Sequence, residues 1–149
     1  MTIRELDKDV YAQVKLLCGE GNVLMDQMEF EKALERYVAA LKLLPEPNFL
    51  WDAATWIYVS IGDANFQSGD MQNAYAAFSM AARCPNGIGN PFIHLRLGEI
   101  QFELGNDILA ADELTRAYMG GGSKIFLGEP EKYFHLVKEK LMEPPGGWK

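Results

Sequence analysis

GDANFQSGDMQNAYAAFSMA, residues 62–81, is the stretch whose reading decides the fold. It opens on Gly62, reaches Ala74 twelve residues later, then Phe78 after four more and Ala81 after three. The same steps recur in Gly21, Ala33, Tyr37 and Ala40, and again in Gly98, Ala110, Leu114 and Ala117. Chance does not place one small-residue spacing three times in 149 residues. Repetition of this kind marks a solenoid, in which each unit buries its apolar face only against its neighbours.

Outward from that core, each copy reads as two helices joined by a tight turn. Gly69–Asp70 and Gly105–Asn106 supply turn residues in the second and third copies, whereas the first has Met28 there. Pro45 and Pro85 stop the second helix of their copies, since proline has no N–H and cannot continue a helix. The first junction is the longer, 41 residues from Gly21 to Gly62 against 36 from Gly62 to Gly98. Its extra residues include Phe49 and Trp51, which are expected to prolong the second repeat's first helix behind an Asn48 cap. Asn90 is expected to cap the third repeat, with Pro91 at the first helical position. The triplet Gly120–Gly121–Gly122 reads as a flexible hinge that ends the repeats.

Beyond it, Glu129–Leu141 is expected to be a helix with Tyr133, Phe134, Val137 and Leu141 on one face. Such a helix caps the open end of a repeat array. Trp148 in the tail is expected to fold back on it, the alternative being a free contact point.

The spacing resembles the tetratricopeptide repeat, or TPR, a helix–turn–helix unit of about 34 residues. The resemblance covers roughly residues 14–122. It implies an all-α, antiparallel helix-pair solenoid, a right-handed superhelix of about seven helices. The expected organisation is one domain over 1–149, with repeats near 14–47, 55–88 and 91–122 and a cap and tail over 123–149. In this family the Gly lets the first helix lie close against the second. A large residue near the start of the first helix corresponds to Leu17, Tyr58 and His94.

Composition agrees with a globular chain, 48% hydrophobic and 23% charged. A net charge of −7 argues against nucleic acid and against an anionic membrane surface, because both demand a basic face. No apolar run approaches the roughly 20 residues that cross a bilayer. Met1–Val10 is charged and shows no apolar signal segment, so a cytoplasmic location is expected. Cys18 and Cys84 read as reduced, packed thiols.

Catalytic constellations are not legible. Only His94 and His135 are available, too few for a hydrolytic triad beside a suitable nucleophile. The glycine triplet follows a helix and lacks the Lys-Ser/Thr of a phosphate loop. No enzyme activity, metal site or cofactor is expected.

The family's concave face implies where a partner would sit. Carried over residue by residue, it gives Asn22, Met25 and Asp26 in the first repeat, with Lys15 and Cys18 beside them. The second contributes Trp56, Val59, Asp63 and Phe66, together with Ser60 and Gln67. The third contributes Phe92, Leu95, Arg96, Glu99, Phe102 and Glu103. Aromatic residues inside an acidic rim are the composition of a binding hot spot. Some family members clamp acidic C-terminal tails with two Lys, two Asn and one Arg. Here those positions hold Cys18, Asn22, Ser60, Phe92 and Arg96. Both lysines are gone, so a basic or apolar segment of a protein or peptide is the expected partner. A small acidic repeat domain of this kind looks like many bacterial immunity proteins that neutralise a toxin by covering it. Similar readings are a secretion chaperone holding an apolar translocator, and a general adaptor. Pairing with a second copy stays open.

Overall fold

The computed structural model describes residues 5–149. Among them there are seven α-helices and no strand. They are α1 Lys8–Asp26, α2 Phe30–Leu43, α3 Asp52–Ser68, α4 Met71–Arg83, α5 Pro91–Glu103, α6 Asp107–Gly121 and α7 Glu131–Lys140. Short 3-10 turns at Asn48–Leu50 and Ser123–Phe126 precede α3 and α7. The chain gathers into two compact units, Met1–Ile88 and Gly89–Lys149.

Unit 1 holds two helix pairs, α1 with α2 and α3 with α4, and α2 also packs on α3. Its core is Val14, Ala33, Tyr37, Ala40, Ala54 and Ile57, all at 1% exposure or less. Unit 2 pairs α5 with α6, and α7 closes over them through Leu95, Leu114, Phe126, Tyr133 and Val137.

The signature glycines explain how the pairs close. A Cβ on Gly21 would lie 2.5 Å from the Tyr37 ring, one on Gly62 2.8 Å from the Phe78 ring, and one on Gly98 2.5 Å from Leu114 Cγ. In each copy the large residue sixteen positions later fills the space that the missing side chain leaves. The repeated spacing is therefore a packing rule: glycine on the first helix, a bulky residue on the second.

The turns follow the punctuation with one exception. Gly69 and Gly105 take left-handed backbone, φ 89° and 83°. The first copy must make the same turn with Met28, at φ 59°. Left-handed backbone costs an L-residue roughly 1–2 kcal/mol. Met28 is 74% exposed and contributes little packing. Met28→Gly is expected to stabilise the protein by about 0.5–1 kcal/mol, the steric relief being offset in part by glycine's greater unfolded-state freedom. An unchanged or lowered urea midpoint would show that the strain is absorbed elsewhere.

Capping agrees at Asn90, whose side chain accepts from the N–H groups of Phe92 and Ile93, and Pro91 opens α5 as expected. Two expectations are corrected. Residues 48–51 do not prolong α3. They form a 3-10 turn, and the Trp51 indole N–H donates to the Pro45 carbonyl at 2.8 Å. With Pro45 and Pro47 unable to donate, that side-chain bond fixes the turn, and α3 starts at Asp52 without an Asn48 cap. The glycine triplet is not a hinge either. Gly120 and Gly121 are the last residues of α6, where added Cβ atoms would press on Pro91 at 2.8 and 3.3 Å. Only Gly122 needs positive φ, at 69°.

Trp148 folds back onto unit 2. Its ring meets Tyr118 and Phe134 edge-on, with centroids 5.6 and 5.9 Å apart.

Candidate partner-binding surface

The residues that the repeat pattern assigns to a partner fall into two different environments. In unit 1, Asn22 and Asp26 on α1 and Trp56 on α3 are exposed, while Met25, Val59, Asp63 and Phe66 are half-buried. Beneath them the Tyr37 hydroxyl donates to Asn22 Oδ1 at 2.6 Å. Burial, followed by the nearby Cys18, Asp63 and Asp26, pushes the Tyr37 phenol up to about 12. Asp26 and Asp63 therefore both bear on one spot at the core's edge. Cys18 is buried, and burial raises its thiol to about 11, so it stays a packing residue with no reactive thiolate.

In unit 2 the middle of the equivalent α5 face is covered, while Phe92 and Phe102 are half-buried and Glu103 is exposed. Leu95, Arg96 and Glu99 are exposed by only 2%, 8% and 0%. Sequence reasoning placed them on an open surface. The structure sets the segment leading into α7 over them, because an apolar helix face without a following repeat must be closed by something else. Arg96 Nη1 donates to Glu99 Oε1 at 2.6 Å and also to Glu129 Oε1. The guanidinium stacks 4.9 Å from the centre of the half-buried Phe92 ring. Phe102 meets Tyr133 edge-on at 5.4 Å. Glu103 accepts from the Tyr133 hydroxyl at 2.6 Å and pairs with Lys132 at 2.7 Å. Those two hydrogen bonds hold the Glu103 carboxyl below its ordinary value.

Glu99 is the most unusual group. Its second oxygen, Oε2, is buried with no hydrogen-bond partner among the described residues. Desolvation pushes the carboxyl up to about 7, against the opposing pull of Arg96, with Glu129 adding to the rise.

His94 packs as its position implies, at 12% side-chain exposure. Its Nδ1 lies 2.6 Å from Glu113 Oε2, and Gly89 N–H donates to its Nε2 at 3.3 Å, so both ring nitrogens serve the packing of unit 2.

Sequence reasoning missed two sets of residues. Glu129, Lys132 and Tyr133, which cover α5, lie about 30 positions from their partners, and no local spacing announces such contacts. Tyr11, Trp51 and Asp52 line a cleft beside Trp56. A signal for Tyr11 exists, because it sits one turn before Lys15 on the face that carries Cys18 and Asn22.

Helix pairs closed by Gly21, Gly62 and Gly98 define the class: the fold is that of the tetratricopeptide repeat. The TPR domain of Sgt2 from Aspergillus fumigatus superposes with a TM-score of 0.60 at 23% identity, over 89% of this chain and 85% of that one. The MamA protein aligns over 86% of this chain and 91% of its own, at 19% identity and a TM-score of 0.38. No protein-family model matches the chain, and no curated protein does. No helix among the described residues is long and apolar enough to cross a membrane.

Proposed function

We propose that the chain is a protein–protein interaction module whose unit 1 takes a partner polypeptide across the faces of α1 and α3. The observation that carries this reading is the 37% exposure of Trp56 on a helix otherwise well packed. Val59 and Phe66 follow Trp56 along α3 at helical spacing, Met25 is half-buried on α1, and Asp26 and Asp63 add negative charge to these helices. Large aromatic residues ringed by polar ones dominate binding energetics at interfaces. The TPR fold supports the same reading, since solenoids of helix pairs offer extended surfaces to partners. Leu95, Arg96 and Glu99 on α5 are buried and leave unit 1 as the more open of the two assigned surfaces.

The test is capture of partners by the tagged protein from its source cells, with Trp56→Ala/Asp26→Lys as the comparison. The double variant is expected to retain its melting temperature and lose at least tenfold of the captured partner. Wild-type capture by a correctly folded variant would move the interaction off this face. Salt separates the finer readings. One basic protein released at high salt fits a sequestering, immunity-type role. A salt-resistant apolar segment fits a chaperone, and many weak partners fit an adaptor.

A further inference from the structure

A cleft of about 430 Å³ lies at the start of α1 and α3 in unit 1. Three aromatic rings line it: Tyr11, Trp51 and Trp56. Tyr11 is 46% and Trp56 37% exposed. The Trp51 ring is fixed in place by its bond to the Pro45 carbonyl. Two carboxylates, Glu5 and Asp52, share the lining with one ammonium, Lys8. The chain already sets a cation on one of these rings, since Lys15 Nζ stands 5.4 Å from the Tyr11 centroid.

Electron-rich rings attract cations, tryptophan most strongly, and the attraction grows when the site is shielded from water. Glu5 and Asp52 outnumber Lys8, so the lining is net negative and complements a cationic guest that can also meet the rings. A guanidinium does so better than an ammonium. It is planar, stacks on aromatic faces, and offers a fork of donors to a carboxylate such as Asp52. The volume falls within the range of small-ligand sites.

We propose that this cleft is a receptor for an arginine side chain of the partner polypeptide. The inference rests on the reading of unit 1 as a partner-binding surface and assigns the partner's chemistry at one end of it.

Binding of N-acetyl-arginine amide, followed by the indole N–H resonances of the protein, tests it. Trp148 is the internal reference, because it packs on Tyr118 and Phe134 in unit 2. Trp51 and Trp56 are expected to shift saturably while Trp148 does not. The neutral isostere N-acetyl-citrulline amide is expected to bind about three- to thirtyfold more weakly. Asp52→Asn is expected to weaken arginine binding by at least about threefold and leave the Trp148 resonance in place. No saturable shift, or equal binding of the citrulline probe, would overturn the proposal. Partner capture distinguishes that failure from failure of the broader reading, because Asp26 lies outside the cleft and Asp52 inside it. Capture lost in an Asp26→Lys variant while the arginine probe gives no saturable shift would leave the surface standing and remove the arginine site.

Discussion

Arg96→Met is expected to destabilise unit 2 by about 3–5 kcal/mol at pH 8, the usual cost of removing one partner from a buried ion pair. Arg96 is the guanidinium between Glu99, fully buried, and Glu129. Without it, two carboxylates face each other under α7. The loss should shrink towards pH 5, where Glu99 carries a proton and needs no counter-charge. The protein itself titrates in the same direction. Its Glu99 holds a proton up to about 7, whereas the ordinary value is 4.5. The folded state therefore binds more protons than the unfolded state between those values. Stability from this group is fully present below about 4.5, falls as pH rises towards 7, and is flat above it.

Glu103 and Tyr133 beside the cluster do not mimic that slope. Glu103 is held low by Lys132 and Tyr133, so its contribution is lost only as pH falls below the ordinary carboxylate range. The Tyr133 phenol is pushed up, by burial first, and stays neutral throughout. Glu99→Gln keeps the shape, leaves Arg96 paired with Glu129, and removes the titration. It is expected to abolish the slope between pH 5 and 8. Amide hydrogen exchange over 91–141 reads the stability of this unit directly. A slope that survives in Glu99→Gln would assign the pH dependence to another group.

The second large effect is at the signature glycines. Gly98→Ala is expected to cost about 1–3 kcal/mol, the range for overpacking a close-packed core. Its new methyl would stand 2.5 Å from Leu114 Cγ and 3.0 Å from the Leu114 backbone nitrogen, which cannot rotate away. Gly98→Val should cost more. Gly19 supplies a control of opposite sign. It lies within α1, with nothing within 4 Å of an added Cβ. Gly19→Ala is expected to stabilise the helix by about 0.5–1 kcal/mol. Urea unfolding of the two variants checks both signs. Equal effects at the two sites would mean that the repeated glycine is not a close-approach residue.

The helices themselves were legible because glycine, proline and asparagine punctuate this chain clearly. Asn90 and Pro91 open α5, Gly69 and Gly105 turn the chain, and Pro45 and Pro85 follow helices. α4 runs from Met71, directly after the Gly69–Asp70 turn, to Arg83, just before Pro85. The same local rules misread residues 48–51, where a tryptophan reaches back six residues to a carbonyl. They misread Gly120 and Gly121, whose small size serves the neighbouring Pro91. They mark Met28 as the departure from glycine at the first turn, and it adopts left-handed backbone there, φ 59°.

The candidate surface divides along the same line. Helical periodicity is enough to gather Asn22, Met25 and Asp26 on one face of α1, and Trp56, Val59, Asp63 and Phe66 on one face of α3, since residues three and four apart share a face. Periodicity also put Phe92, Leu95, Arg96, Glu99, Phe102 and Glu103 together on α5. It could not say whether that face is open.

The sequence alone determined the helix pairs, their close approach at three glycines, and which side chains share a helix face. These depend on backbone sterics and on spacings of a few residues. The tertiary structure decided which faces remain available. Glu129, Lys132 and Tyr133 return from some 30 residues away to cover α5, and Tyr11 and Trp51 meet Trp56 at a cleft. Burial and desolvation are properties of the assembled volume around a residue. They enter no local pattern, so the Glu99 carboxyl with its unpartnered oxygen is visible only once α7 is in place.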